Sequence, residues 1–235
     1  MQYGAIAAFV AGMAALSANA ATFDFKAAST GGWKDSISYD PIDGIGLKVS
    51  GTTAGGVKAQ VATWAGFGLG VKSGSDCDSG WKKNICEGDD HQVDSTGPED
   101  IAVFLFSTAV RITGITFNYV DGSDVFDLFV GESIGLTEKL SAIDVEKEVK
   151  LDNDFFSTLF GIGATDGTVK KCYTIGHGWK KQTVCTDKSV SSAFKITSIT
   201  VEKQMPPVPL PASALLLVGA LGGLGLWRRV SRKAA

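Results

Sequence analysis

From residue 21 onward the chain carries short apolar runs separated by Gly, Asp, Asn and Ser. Thr22 to Lys26, Gly46 to Val49, Val57 to Trp64, Ile101 to Phe106, Val110 to Val120, Val125 to Val130, Val145 to Leu151 and Phe194 to Glu202 are rich in β-branched and aromatic residues and read as strands. Turn formers divide them, as in DGSD at 121–124 and DND at 152–154. Only LTEKLSAIDVEKE, residues 136–148, has a helical period, with Leu136, Leu140 and Ile143 on one face. Strands without regular intervening helices predict an all-β fold, an antiparallel β-sandwich of jelly-roll type, rather than a parallel α/β sheet.

Both ends depart from this pattern. Residues 1–20 hold an apolar stretch from Ala5 to Leu16 and then Ala18-Asn19-Ala20, the small-x-small form of a signal-peptidase site. The reading is a signal peptide with a mature start at Ala21, although the terminal amine alone supplies positive charge before the apolar core. At the other end the uncharged run Ala212 to Trp227 is about 24 Å long as a helix, against roughly 30 Å of hydrocarbon. Arg228, Arg229, Arg232 and Lys233 follow and would hold the tip on the cytoplasmic side. A buried core helix fits poorly, because GALGGLG has weak helix propensity in water, whereas a bilayer forces internal backbone hydrogen bonds. A membrane helix remains, either a permanent anchor or a removable signal.

The order Val208, Pro209, Leu210, Pro211 and Ala212, then an apolar run, then a basic tip, resembles the VPLPA variant of the PEP-CTERM sorting signal of bacterial exosortase substrates. The resemblance implies that a membrane-embedded exosortase recognises the proline motif and removes the helix and tip, releasing the product to the cell surface or extracellular matrix. The organisation expected is therefore a signal peptide at 1–20, an extracellular β-sandwich at 21–205 and a sorting signal at 206–235. Signal peptidase, exosortase and, transiently, the inner membrane are the partners this implies.

Removing the four basic residues of the tip from the 22 Lys and Arg leaves 18 against 25 Asp and Glu, so the body is acidic, with a net charge near −7. That argues against nucleic acid as a partner. Cys77 and Cys86 flank one short loop and Cys172 and Cys185 another. Three pairings are open; the two local ones are favoured in an exported chain, each contributing about 3 kcal/mol by constraining the unfolded state. Zinc is the alternative, but neither spacing is that of a zinc knuckle. Within these loops Gly80-Trp81-Lys82-Lys83 and Gly178-Trp179-Lys180-Lys181 repeat the same tetrapeptide. The structural reading is a Trp covering a disulfide and Lys guarding an edge. The functional reading makes Trp81, Lys82, Trp179 and Lys180 a surface for glycan or anionic polymer, with the indoles stacking and the ammonium groups supplying charge.

Gly68-Leu69-Gly70-Val71, the segment GDDHQVD at 88–94, then Glu99-Asp100 leading into an apolar strand and ITGITFNY, resemble the body of exosortase-dependent surface proteins, whose usual form has a GLGV turn and an acidic HQVDN segment. Here Ser95 stands where Asn is common, and a cysteine loop separates the two elements. The resemblance implies an extracellular β-sandwich and no particular activity. Gly131-Glu132-Ser133-Ile134-Gly135 fits G-x-S-x-G, but no βαβ series or oxyanion segment accompanies it, so a chance match is the better reading. Asp89, Asp90, Asp94, Glu99 and Asp100 supply hard oxygen ligands for a candidate structural calcium, without EF-hand spacing. The function expected is a non-enzymatic surface or matrix protein associated with exopolysaccharide. The alternative is a calcium-assisted carbohydrate-binding module.

Overall fold

Among the described residues, strands account for all of the regular structure apart from turns. In chain order they are β1 (Ala20–Asp24), β2 (Ser36–Ile42), β3 (Ile45–Thr53), β4 (Lys58–Trp64), β5 (Gly68–Lys72), β6 (Val93–Asp94) and β7 (Asp100–Asn118). They continue with β8 (Val125–Glu132), β9 (Gly135–Asp144), β10 (Glu148–Lys150), β11 (Ser157–Thr165), β12 (Gly167–Ile175), β13 (Gln182–Val190) and β14 (Ala193–Lys203). The computed structural model describes residues 20–73, 91–132, 135–175 and 182–204. Among these residues there is no helix, and so none long and apolar enough to cross a membrane. Of the signal peptide expected at 1–20 only Ala20 is described, as the first residue of β1; residues 1–19, the VPLPA motif, the expected helix and the basic tip lie outside the described residues.

The all-β, antiparallel class is as expected. Its arrangement is a small barrel with a sheet extension, where the sequence suggested a jelly roll. Pairing runs β14 to β5, β4, β3 and β7, and β7 returns to β14, which closes the ring. Strand β7 makes this closure by its length of 19 residues. Its first half pairs with β3 and β11, and its second half with β14 and β10. The sequence reading split it at Ser107-Thr108-Ala109. The chain bends there instead: between Leu105 and Val110 it advances five residues against two of β11, a bulge that absorbs the polar interruption. From β11 the sheet extends through β8 to β9.

Residues 136–148 correct the helix expectation. Leu140 lies opposite Leu128 and Ile143 opposite Phe126, so β9 advances three residues against two of β8. The extra residue is housed where Ala142 takes φ of 51°. That bulge brings Leu140 and Ile143, three apart as on a helix face, to the same side of a strand, where both pack on the core. Gly68 to Val71 is likewise strand rather than turn; the reversal is made by Ala65 to Phe67 just before it.

One core serves both parts. Phe25 meets Phe104 at 5.8 Å between ring centroids, Phe106 meets Phe160 at 6.1 Å, and Phe117 meets Phe126 at 5.2 Å and Phe194 at 5.1 Å. Each fully buried Phe contributes roughly 1.5–3 kcal/mol relative to exposure.

Strands β12 and β13 form a separate two-stranded ribbon, with Cys172 directly opposite Cys185 and the two joined by a disulfide. The local pairing expected for these cysteines is therefore present; Cys77 and Cys86 lie outside the described residues. The ribbon is exposed, and side-chain bonds fasten its base: the Ser95 and Ser189 hydroxyls donate to the two carboxylate oxygens of Asp166, each at 2.8 Å. Two strands alone are marginal in water, so the disulfide should carry much of the ribbon's order. In the Cys172→Ser/Cys185→Ser protein, hydrogen exchange is expected to speed sharply over residues 167–190, while the melting point of the main sheet shifts little. A uniform loss of protection across the whole sheet would contradict this local role.

Candidate functional site

The strand register places three aromatic side chains and one lysine around a single concavity. Trp64 ends β4, Phe67 sits in the turn into β5, and Tyr119 follows the last residue of β7. Lys195 lies on β14 opposite Asn118, next to the Ile196–Leu69 pair that joins β14 to β5. On β14 its neighbours Phe194 and Ile196 fill the core, so strand alternation turns Lys195 to the other face. Gly68 permits the close approach of the two strands: a Cβ there would fall 2.6 Å from the Ile196 carbonyl oxygen, and its φ is +114°.

Lys195 is only 5% exposed. Its Nζ stands 3.7 Å from the ring centre of Trp64 and 6.0 Å from that of Tyr119. Among the described residues no carboxylate pairs with it. Burial pulls its pKa down to about 8; the π faces of Trp64 and Tyr119 oppose that shift by attracting the cation. Trp33 packs edge-on to Trp64 at 5.3 Å, and exposed His91 lies 4.9 Å from Trp64. Lys72 places a second ammonium 5.7 Å from the Trp33 ring.

Trp64, Phe67, His91, Gln92, Tyr119 and Lys195 line a cavity of about 480 Å³. A second, of about 460 Å³, lies on the other side of Tyr119 and is lined by Lys26, Asn118, Lys147 and Thr197 among others. Both volumes fall within the roughly 300–1,000 Å³ of small-ligand sites. Tyr119 is 52% and Phe67 48% exposed, and their rings stack at 5.9 Å and 30°. Tyr119 holds φ of 58°, supported by its N–H donating to Asn118 Oδ1 at 3.0 Å. A left-handed backbone at a bulky non-glycine residue is uncommon and fixes the ring between the two cavities.

The residues singled out from sequence fare differently. Trp81, Lys82, Trp179, Lys180, Asp89 and Asp90 lie outside the described residues. Asp94 and Asp100 are buried, and Asp94 Oδ1 accepts the Thr96 N–H at 2.7 Å, closing an Asx turn. Glu99 is half-buried, and burial first, then the charges of Asp127, Asp166 and Glu138, push its pKa up. Among the described residues no group of three or more His, Cys, Asp or Glu side chains could hold a metal ion. Of the G-x-S-x-G segment, Gly131 and Glu132 end β8 and Gly135 opens β9, with Glu132 paired to Gly135; Ser133 and Ile134 lie outside the described residues.

Sequence reasoning missed Trp64, Phe67, Tyr119 and Lys195 as a set. The local signals were present: WAGFG and NYVDG each put a large aromatic beside a tight turn, and AFKITSITV carries one lysine inside an apolar strand. No protein-family model matches the chain, and no similar curated protein or solved structure was found.

Proposed function

We propose that this chain is an exported, non-enzymatic bacterial surface or matrix protein, delivered to an exosortase by its VPLPA tail and associated with exopolysaccharide. The observation that carries the reading is the order of proline motif, apolar run and basic tip at residues 208–233. The geometry of the body is compatible with both processing events. Cleavage after Ala20 keeps the buried residues Ala21, Phe23 and Phe25 in the mature chain, and β14 ends at Lys203, before the proline motif. The strands nearest the two cut sites pair with each other, β1 against β14, and the core residues among the described ones, Ala21 to Val201, all lie between the cuts.

A protease substrate needs the extended, proline-restricted segment, whereas a plain anchor depends on its helix alone. Wild-type protein from a host carrying a matching exosortase is expected to lack its helix and basic tip by intact mass. Replacing Pro209 and Pro211 with Ala leaves the apolar run untouched, so the double mutant should still insert and should accumulate uncleaved in the inner membrane. A mature wild-type protein retaining residues through Ala235 would restore the permanent anchor.

The pocket around Lys195 favours a second reading, that the body is a carbohydrate-binding module. Its aromatic and cationic groups are the chemistry expected of Trp81 and Trp179, here on residues of the barrel; Trp81, Trp179 and the candidate calcium ligands Asp89 and Asp90 lie outside the described residues.

A further inference from the structure

We propose that the two cavities flanking Tyr119 bind a carboxylated polysaccharide, with sugar rings packed on Tyr119, Phe67 and Trp64 and a uronate carboxylate on Lys195 Nζ. This deepens the polysaccharide association proposed above and is independent of how the tail is processed.

Charge selects the ligand's sign. Among the described residues, Lys195 lines one cavity and Lys26 and Lys147 the other, and neither lining includes an Asp or Glu. In a chain where acidic residues outnumber basic ones, 25 against 22, this is a local reversal of sign. A bound carboxylate would return to the Lys195 ammonium a hydrogen-bonding partner that burial removes, and a charge-assisted bond of that kind is stronger than a neutral one. The aromatic rings select the ligand's body. Phe67 and Tyr119 remain half exposed although both are large and apolar, which leaves their outer surfaces open to the C–H faces of a sugar ring. Gln92 in one cavity, and Asn118 and Thr197 in the other, offer amide and hydroxyl groups for ring hydroxyls. Tyr119 belongs to both linings, so a linear polymer can place successive units on its two sides. Single-stranded nucleic acid is also anionic and also stacks; the acidic body repels any polyanion outside the cavities, so an oligodeoxynucleotide is the comparison that separates the two in the test.

The test uses the full chain in a polyoxyethylene detergent, which carries no sugar headgroup. Sodium oligogalacturonate is titrated against it, with a neutral malto-oligosaccharide of equal length and a single-stranded oligodeoxynucleotide as comparisons. Saturable uronate binding is expected, at least about tenfold tighter than the neutral oligomer. Lys195→Met should weaken uronate binding about tenfold or more and leave the weak neutral binding unchanged. Tyr119→Ala, at an exposed position whose loss leaves the core intact, should weaken both sugars. Circular dichroism checks that each variant is folded. Absence of saturable uronate binding, equal affinity for the neutral oligomer, tighter binding of the oligodeoxynucleotide, or indifference to both substitutions would each overturn the proposal. Any of these results leaves the intact-mass test of tail removal standing.

Discussion

Gly70→Ala is expected to lower the stability of the folded chain by about 3 kcal/mol, while Gly114→Ala in the same sheet leaves it unchanged or raises it by up to about 1 kcal/mol. A Cβ on Gly70 would lie 2.0 Å from the His91 carbonyl oxygen and 2.6 Å from its carbonyl carbon. Both are backbone atoms and cannot rotate aside. The segment is held there by the Val71 N–H donating to the Gln92 carbonyl at 3.1 Å, so yielding to the methyl group means losing that bond as well. At Gly114 the nearest atom to an added Cβ is 3.7 Å away, an ordinary contact, and its φ is not left-handed. There the substitution mainly reduces the freedom of the unfolded chain. Denaturant midpoints of the two variants should therefore move in opposite directions, or only the first should move. The Gly70 variant should also disturb the indole fluorescence, because His91 rests on Trp64 and Trp33. Equal midpoints for Gly70→Ala and wild type would mean that the chain after β5 does not pass over that glycine.

Strands with continuous apolar runs were legible, as Val125 to Val130 and Phe194 to Glu202 demonstrate. Strands built on small residues were not. In β11 the run LFGIGAT is interrupted by Gly161 and Gly163, which look like breakers in a sequence. In the fold they are gaps that neighbours fill: a Cβ on Gly161 would come within 2.9 Å of Leu136 and 3.0 Å of Ile101. The ribbon of β12 and β13 was legible only through its cysteines, because both strands are solvated and carry little apolar alternation. The pocket was hidden for a different reason. Its residues lie at positions 64, 67, 119 and 195, and they meet only because β14 pairs with both β5 and β7. No local pattern encodes those long-range registers.

Lys195→Met is expected to stabilise the protein near neutral pH, by about 2 kcal/mol, and to lose that advantage in alkali. Nearly full burial strips water from the ammonium, and desolvation lowers its pKa from 10.5 to about 8. The folded-state value is therefore the lower one, and between the two the unfolded chain binds more protons. Wild-type stability should accordingly rise as the pH climbs from about 8 to about 10.5. The Met variant carries no such term. Its thioether keeps the packing on Trp64 and removes the buried charge, which normally costs more than one cation–π contact returns. His91 and Tyr119 line the same pocket in both proteins, so the difference between the two reports on Lys195. Thermal melts of the full chain should put the variant about 4–8 °C above wild type at about pH 7, with the gap narrowing at about pH 10.5. A variant less stable than wild type at neutral pH, or a gap that does not change with pH, would mean that Lys195 already has an anionic partner in the free protein. The pocket would then be a closed ion pair and no receptor for a carboxylate. The expected result identifies a site whose unfavourable charge is held in place by the surrounding fold, the state from which an incoming uronate gains most.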